Sequence, residues 1–139
     1  MELLAERQTR GYDIASLSLG IEKRILFLDP ADRKFLQLTL RGTLSRREVG
    51  LLLGLTCGTV TRRLHGLLRR LNDPLVVALV ERGELLPELH REVGLAYFLR
   101  WRSQPQIERE FGLSRYAVKR MLEYVRGWQG VGKRGGAKR

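Results

Sequence analysis

One short unit occurs twice in this chain. Residues 45–64 read SRREVGLLLGLTCGTVTRRL and residues 103–122 read SQPQIEREFGLSRYAVKRML. A constant offset of 58 residues pairs Val49 with Ile107, Leu53 with Phe111, Gly54 with Gly112, Leu55 with Leu113, Thr56 with Ser114 and Val60 with Val118. Each pair does one structural job. Ser45, with Glu48 three residues on, is a capping box that opens a helix. Val49 and Leu53 are expected to fill a helix crossing, Gly54 to supply a left-handed stop, and Leu55 to plug the gap beneath the turn. Thr56 caps a further helix, whose stripe of Val60, Leu64, Leu67 and Leu71 faces inward. Two helices joined by a short glycine-bearing turn make a helix-turn-helix.

The rest of the chain punctuates as helix too. No Asn-Gly or Asp-Gly hairpin turn occurs, and alternating apolar/polar runs are short. Asp29-Pro30 and Asp32 mark a helix start, with Phe35, Leu36 and Leu40 on one side and Gly42 as its end. Asn72-Asp73-Pro74 stops the Val60 helix and starts a short one, LVVALVER, closed by Gly83. Pro87 opens a helix to about Trp101, with Leu89, Val93, Ala96 and Tyr97 inward. A helix over 104–111 ends at Gly112, and Ser114 caps the last, with Val118, Leu122 and Val125 inward. A frayed start precedes a helix over roughly 20–28. The expected architecture is all-α with about seven helices: an N-terminal extension (1–27), a first helix-turn-helix unit (28–71), a linker helix (72–86), a second unit (87–128) and a disordered basic tail (129–139).

Charge narrows the function. The formal net charge is +11. It is concentrated, with +6 over residues 41–71 and +4 over 99–128, against −3 over 72–98. The two positive blocks coincide with the two units, which favours a polyanionic partner. Cys57 is the one cysteine, so neither an internal disulfide nor a cysteine-based zinc site is expected, and a redox role for it is disfavoured. His65 and His90 stand apart from other ligand types, so no metal is expected. No catalytic triad, paired-carboxylate site or phosphate-binding glycine loop is evident, which argues against an enzyme, a cofactor or a small-molecule substrate. The N-terminus is not a secretory signal, and no apolar run reaches the ~18 residues that span a bilayer. A soluble, cytoplasmic, nucleoid-associated protein is expected.

Helical geometry names the outward face. Opposite Val60, at 100° per residue, lie Gly58, Arg62, His65 and Arg69, flanked by Thr61 and Gly66. Arginine is the commonest bidentate partner of guanine O6 and N7, so Arg62 is the expected base-reading residue. Arg46, Arg47 and Arg63 lie at shoulders suited to phosphates. Gly58 leaves room where the helix N-terminus would meet the DNA backbone. The second unit presents Arg115, Tyr116, Lys119, Arg120 and Glu123, with Arg120 at the Arg62 position. It is also aromatic-rich, which suits a protein interface.

Residues 28–71, LDPADRKFLQLTLRGTLSRREVGLLLGLTCGTVTRRLHGLLRRL, resemble region 4 of bacterial sigma factors. The resemblance rests on Pro30, Asp32, Arg33, Gly54, Leu55, Gly58, Thr59, Val60, Arg62 and Leu64; residues 86–128 are a looser second copy. It implies DNA binding at Thr59, Thr61, Arg62 and His65, with RNA polymerase as a second partner. The upstream domain that melts promoters in that family does not fit within residues 1–27. The expectation is therefore a small DNA-binding transcriptional regulator or sigma-like accessory protein whose recognition helices enter the major groove of duplex DNA. An adaptor that binds RNA polymerase or another protein is the alternative, and RNA binding a third.

Overall fold

The computed structural model describes residues 20–40 and 42–133. Those residues form eight α-helices and no strand. The chain divides into two compact units, one ending at Asn72 and the other beginning at Asp73.

The first unit contains α1 (Ile21–Ile25), α2 (Pro30–Leu40), α3 (Arg46–Leu53) and α4 (Cys57–Leu71). Its core is Leu28, Phe35, Leu36, Val49, Val60, Leu64, Leu67, Leu68 and Leu71. All four residues of the expected α4 stripe are buried. Two inward assignments change. Thr39 is buried in place of Leu40, because its hydroxyl turns back to donate to the Phe35 carbonyl (3.1 Å) and so enters the core satisfied. Leu53 is exposed, and Gly50 takes its place at the crossing with α4. A β-carbon on Gly50 would stand 2.5 Å from the Leu55 carbonyl oxygen, so the backbones meet where no side chain fits. Beneath the unit, the buried Arg24 donates from Nε to the Leu71 carbonyl (2.8 Å) and from Nη2 to Asn72 Oδ1 (3.4 Å). Its charge thus meets the negative end of the α4 dipole.

The second unit contains α5 (Pro74–Arg82), a 3₁₀ turn (Gly83–Leu85), α6 (Glu88–Gly94), a π-helical continuation (Leu95–Leu99), α7 (Gln104–Phe111) and α8 (Arg115–Lys133). The segment expected to be a linker helix is part of this unit's core. Val76, Ala78, Leu79 and Val80 are buried, while the acidic Asp73, Glu81 and Glu84 stay at its ends. An apolar run of that density has to be covered. Arg91 of α6 fastens it, donating to the Leu79 (3.0 Å) and Val80 (2.9 Å) carbonyls. Leu89 and Tyr97 were expected inward, yet Leu89 is exposed and Tyr97 half-buried, while Leu95, Ala96 and Leu99 are buried. Val93 and Ala96 stay inward, and Leu95 and Leu99 of the π segment are buried as well, so this stretch is covered on more than one side. Trp101 follows it at φ 58, an end-of-helix position that glycine usually fills. Finally, α8 runs to Lys133, so residues 129–133 of the expected tail are helical in backbone. Glycine only weakens a helix, by about 1 kcal/mol each, and no left-handed stop intervenes. Residues 1–19 and 134–139, the bulk of the extension and the end of the tail, lie outside the described residues.

Candidate nucleic-acid interface

The duplicated unit is reproduced bond for bond. Ser45 Oγ accepts from Glu48 N–H (3.1 Å), and the Glu48 carboxylate accepts from Ser45 N–H (2.8 Å). In the second unit Ser103 and Gln106 exchange the same pair at 3.2 and 2.8 Å. Gly54 and Gly112 turn at φ 72 and 64. Leu55 N–H then donates to Gly50 O (2.8 Å), as Leu113 N–H does to Glu108 O (3.0 Å). Thr56 Oγ1 accepts from Thr59 N–H (3.1 Å), as Ser114 Oγ does from Ala117 N–H (3.0 Å). Both chains of bonds end at a helix whose first turn points free N–H groups outward. The repeat in sequence is thus a repeat in hydrogen bonding, and both units are helix-turn-helix in geometry.

On α4 the solvent face carries cations and no acid; Cys57–Leu71 contains neither Asp nor Glu. Gly58, Arg62 and Arg69 are exposed, and Thr59, Thr61 and His65 half-buried. Arg62 is laid along the helix: its Nη2 donates to Thr59 Oγ1 (3.2 Å), which also accepts from the Thr56 hydroxyl (2.9 Å). Cys57 begins the helix, exposed. Arg47 on α3 is exposed. Arg46 is half-buried, and its Nη1 donates to Thr61 Oγ1 (3.2 Å), tying α3 to α4. Burial, with the charges of Arg46 and Arg69, pushes the His65 imidazole below its ordinary pKa. The face is already so positive that a further proton is unwelcome.

Arg63 belongs elsewhere. Its Nη2 pairs with Asp32 Oδ1 of α2 at 2.9 Å, and its guanidinium lies 4.4 Å from the centroid of the Phe35 ring. It ties α4 to α2. Neighbouring Arg70 is pushed below its ordinary pKa by burial, opposed by the nearby Asp32 and Asp29.

In the second unit Arg115, Tyr116, Lys119, Arg120 and Glu123 are all exposed on α8. Arg120 occupies the position of Arg62, but its guanidinium rests 5.5 Å from the centroid of the Tyr116 ring. Tyr116 and Tyr124 stand where α4 has Gly58 and Gly66. Two features of the first unit do not follow from helical periodicity alone. Gly50 was signalled by a glycine in the middle of a helix, where alanine is favoured by ~1 kcal/mol. The other is an exposed apolar patch on α3, Leu51, Leu52 and Leu53. At the first two of these positions the second unit has Arg109 and Glu110, so the fold itself does not demand leucine there.

Among the described residues no group of His, Cys, Asp and Glu could hold a metal ion, and no helix is long and apolar enough to cross a membrane. Comparison with protein-family models, curated proteins and solved structures finds no match to this chain.

Proposed function

We propose that the protein binds duplex DNA through the solvent face of α4 and acts as a non-enzymatic transcriptional regulator or sigma-like accessory protein. The observation that carries this reading is an acid-free helix face bearing Arg62, His65 and Arg69, preceded by a capped N-terminus. Gly58 has no side chain, and the Arg62 guanidinium lies 3.6 Å from where its β-carbon would stand, so a phosphate that approaches the free N–H groups meets Arg62 as well. Arg62, held by Thr59, reads a base edge, and Arg47 meets a phosphate. Arg46 and Thr61 brace the face from within it. The resemblance of residues 28–71 to sigma region 4 supports the same helix in the same role.

A second reading is favoured by the Leu51–Leu53 patch, which suits an adaptor that docks on a protein such as RNA polymerase. The two separate on selection from random duplex DNA. A regulator yields a motif bound at least ~10³-fold more tightly than random sequence. Arg62→Ala then relaxes preference at one position and weakens the cognate site by ~1–3 kcal/mol, while Arg47→Ala weakens all sequences alike. Failure to recover a motif, with only weak salt-sensitive binding, rejects base reading and leaves the adaptor.

A further inference from the structure

We infer that the second unit binds single-stranded DNA, stacking unpaired bases on Tyr116 and Tyr124 of α8. The two units share a scaffold but differ at two matched positions of the presented helix. The first unit has Gly58 and Gly66 there, and the second has Tyr116 and Tyr124, 68% and 54% exposed. Side chains of that size hold the helix surface away from a rigid duplex, whereas an unpaired base can turn out to meet a ring.

Tyr116, Arg120 and Tyr124 follow one another at intervals of four residues and so form one strip along the helix. Each ring is supported from within the unit. The Arg120 guanidinium lies over Tyr116, and the His90 ring of α6 packs edge-on to Tyr124, with centroids 5.0 Å apart. Eight residues at ~1.5 Å each separate the tyrosines by ~12 Å along the axis, the reach of about three nucleotides at the ~3.4 Å spacing of stacked bases. Arg115, Lys119 and Arg120, against the single acid Glu123, match the charge of the backbone those bases hang from. A basic surface with aromatic rings at intervals is how sequence-tolerant single-strand sites are built. The choice of DNA over RNA rests on the duplex-DNA reading of the first unit.

The test is fluorescence anisotropy of a labelled oligo(dT) with the full chain at one fixed salt concentration, beside a duplex probe. Y116A/Y124A is expected to weaken oligo(dT) by at least ~5-fold per ring. Y116F/Y124F stays within about twofold of wild type, because stacking needs the ring and not the hydroxyl. Duplex binding, read separately through Arg62→Ala, stays within about twofold in Y116A/Y124A, so the two faces succeed or fail independently. Several results overturn the inference: no oligo(dT) binding by wild type, an alanine pair that binds it normally, or a phenylalanine pair as weak as alanine. Equal losses on duplex and single strand, or tighter binding of an oligo(U) of the same length, overturn it too. Both rings are exposed, so the variants fold, and matching circular dichroism spectra verify this.

Discussion

Replacing Gly50 by alanine opposes two effects of known size. Alanine is the better helix former by ~1 kcal/mol, so in an open helix the change would stabilise. Here the new β-carbon would lie 2.5 Å from the Leu55 carbonyl oxygen and 3.5 Å from Val60 Cγ2. The nearer atom is backbone and cannot swing aside. Helix α3 must retreat by roughly half an ångström, which loosens the Val49 packing and stretches the 2.8 Å bond from Leu55 N–H to Gly50 O. Overpacking of this kind costs ~1–3 kcal/mol, and the weakened hydrogen bond adds up to ~1 kcal/mol. Set against the helix gain, the first unit should lose about 1–2 kcal/mol, or ~5–15 °C in Tm for a unit of this size. Both tryptophans, Trp101 and Trp128, lie in the second unit. Fluorescence therefore follows that unit alone, while far-ultraviolet circular dichroism follows both. The expected result is a lowered transition by dichroism. A fluorescence transition that stays in place assigns the loss to the first unit, and one that falls with it shows the two units to unfold together. Glu108→Ala, at the matched position of the second unit, should change stability by less than ~0.5 kcal/mol. A Gly50→Ala protein as stable as wild type would refute the close approach of α3 to the turn.

Arg63→Ala should cost about 1–2 kcal/mol through loss of the Asp32 pair and the Phe35 contact, without altering the salt slope of DNA binding. Arg47→Ala should do the reverse, lowering that slope by about one; titrations at several salt concentrations distinguish them. Arg24→Ala should destabilise the first unit by about 2–3 kcal/mol in urea, since it strands the buried Leu71 carbonyl. For His65 the folded pKa lies below the unfolded value of about 6.5, so the unfolded chain binds its proton more tightly. That contribution to stability is complete above about 6.5 and is lost as pH falls through the folded pKa. Urea midpoints should therefore decline from pH 7 toward 5.5, and His65→Gln should flatten that decline. Duplex DNA against Arg46 and Arg69 offsets their charge and eases proton uptake, so affinity should rise over the same range and the gain should vanish in His65→Gln.

The local elements were legible because their signals are local. A capping box and a glycine stop act within four residues, and the buried stripe of α4 repeats at helical spacing, so Ser45, Gly54, Thr56, Val60 and Leu64 can be read without a partner in view. The Arg62 face followed by rotation from that stripe. Arg63 did not, because whether an arginine faces solvent or a neighbour depends on what the neighbour offers, and Asp32 with Phe35 is 31 and 28 residues away. The apolar run in α5 read as a connection for a similar reason: Arg91, which fastens it, comes from another helix.

By itself, then, the order of residues determined two copies of one helical unit, their caps and turns, and a basic outward face on each, since short-range hydrogen bonds and helical periodicity need nothing distant. Tertiary structure alone decided that Gly50 rather than Leu53 sits at the first crossing, and that Arg63 is a strut. It also decided that α5 belongs to the second core, and that Tyr116 and Tyr124 stand supported in solvent. Each of these depends on which surfaces meet, and close packing settles that through contacts between residues far apart in the chain.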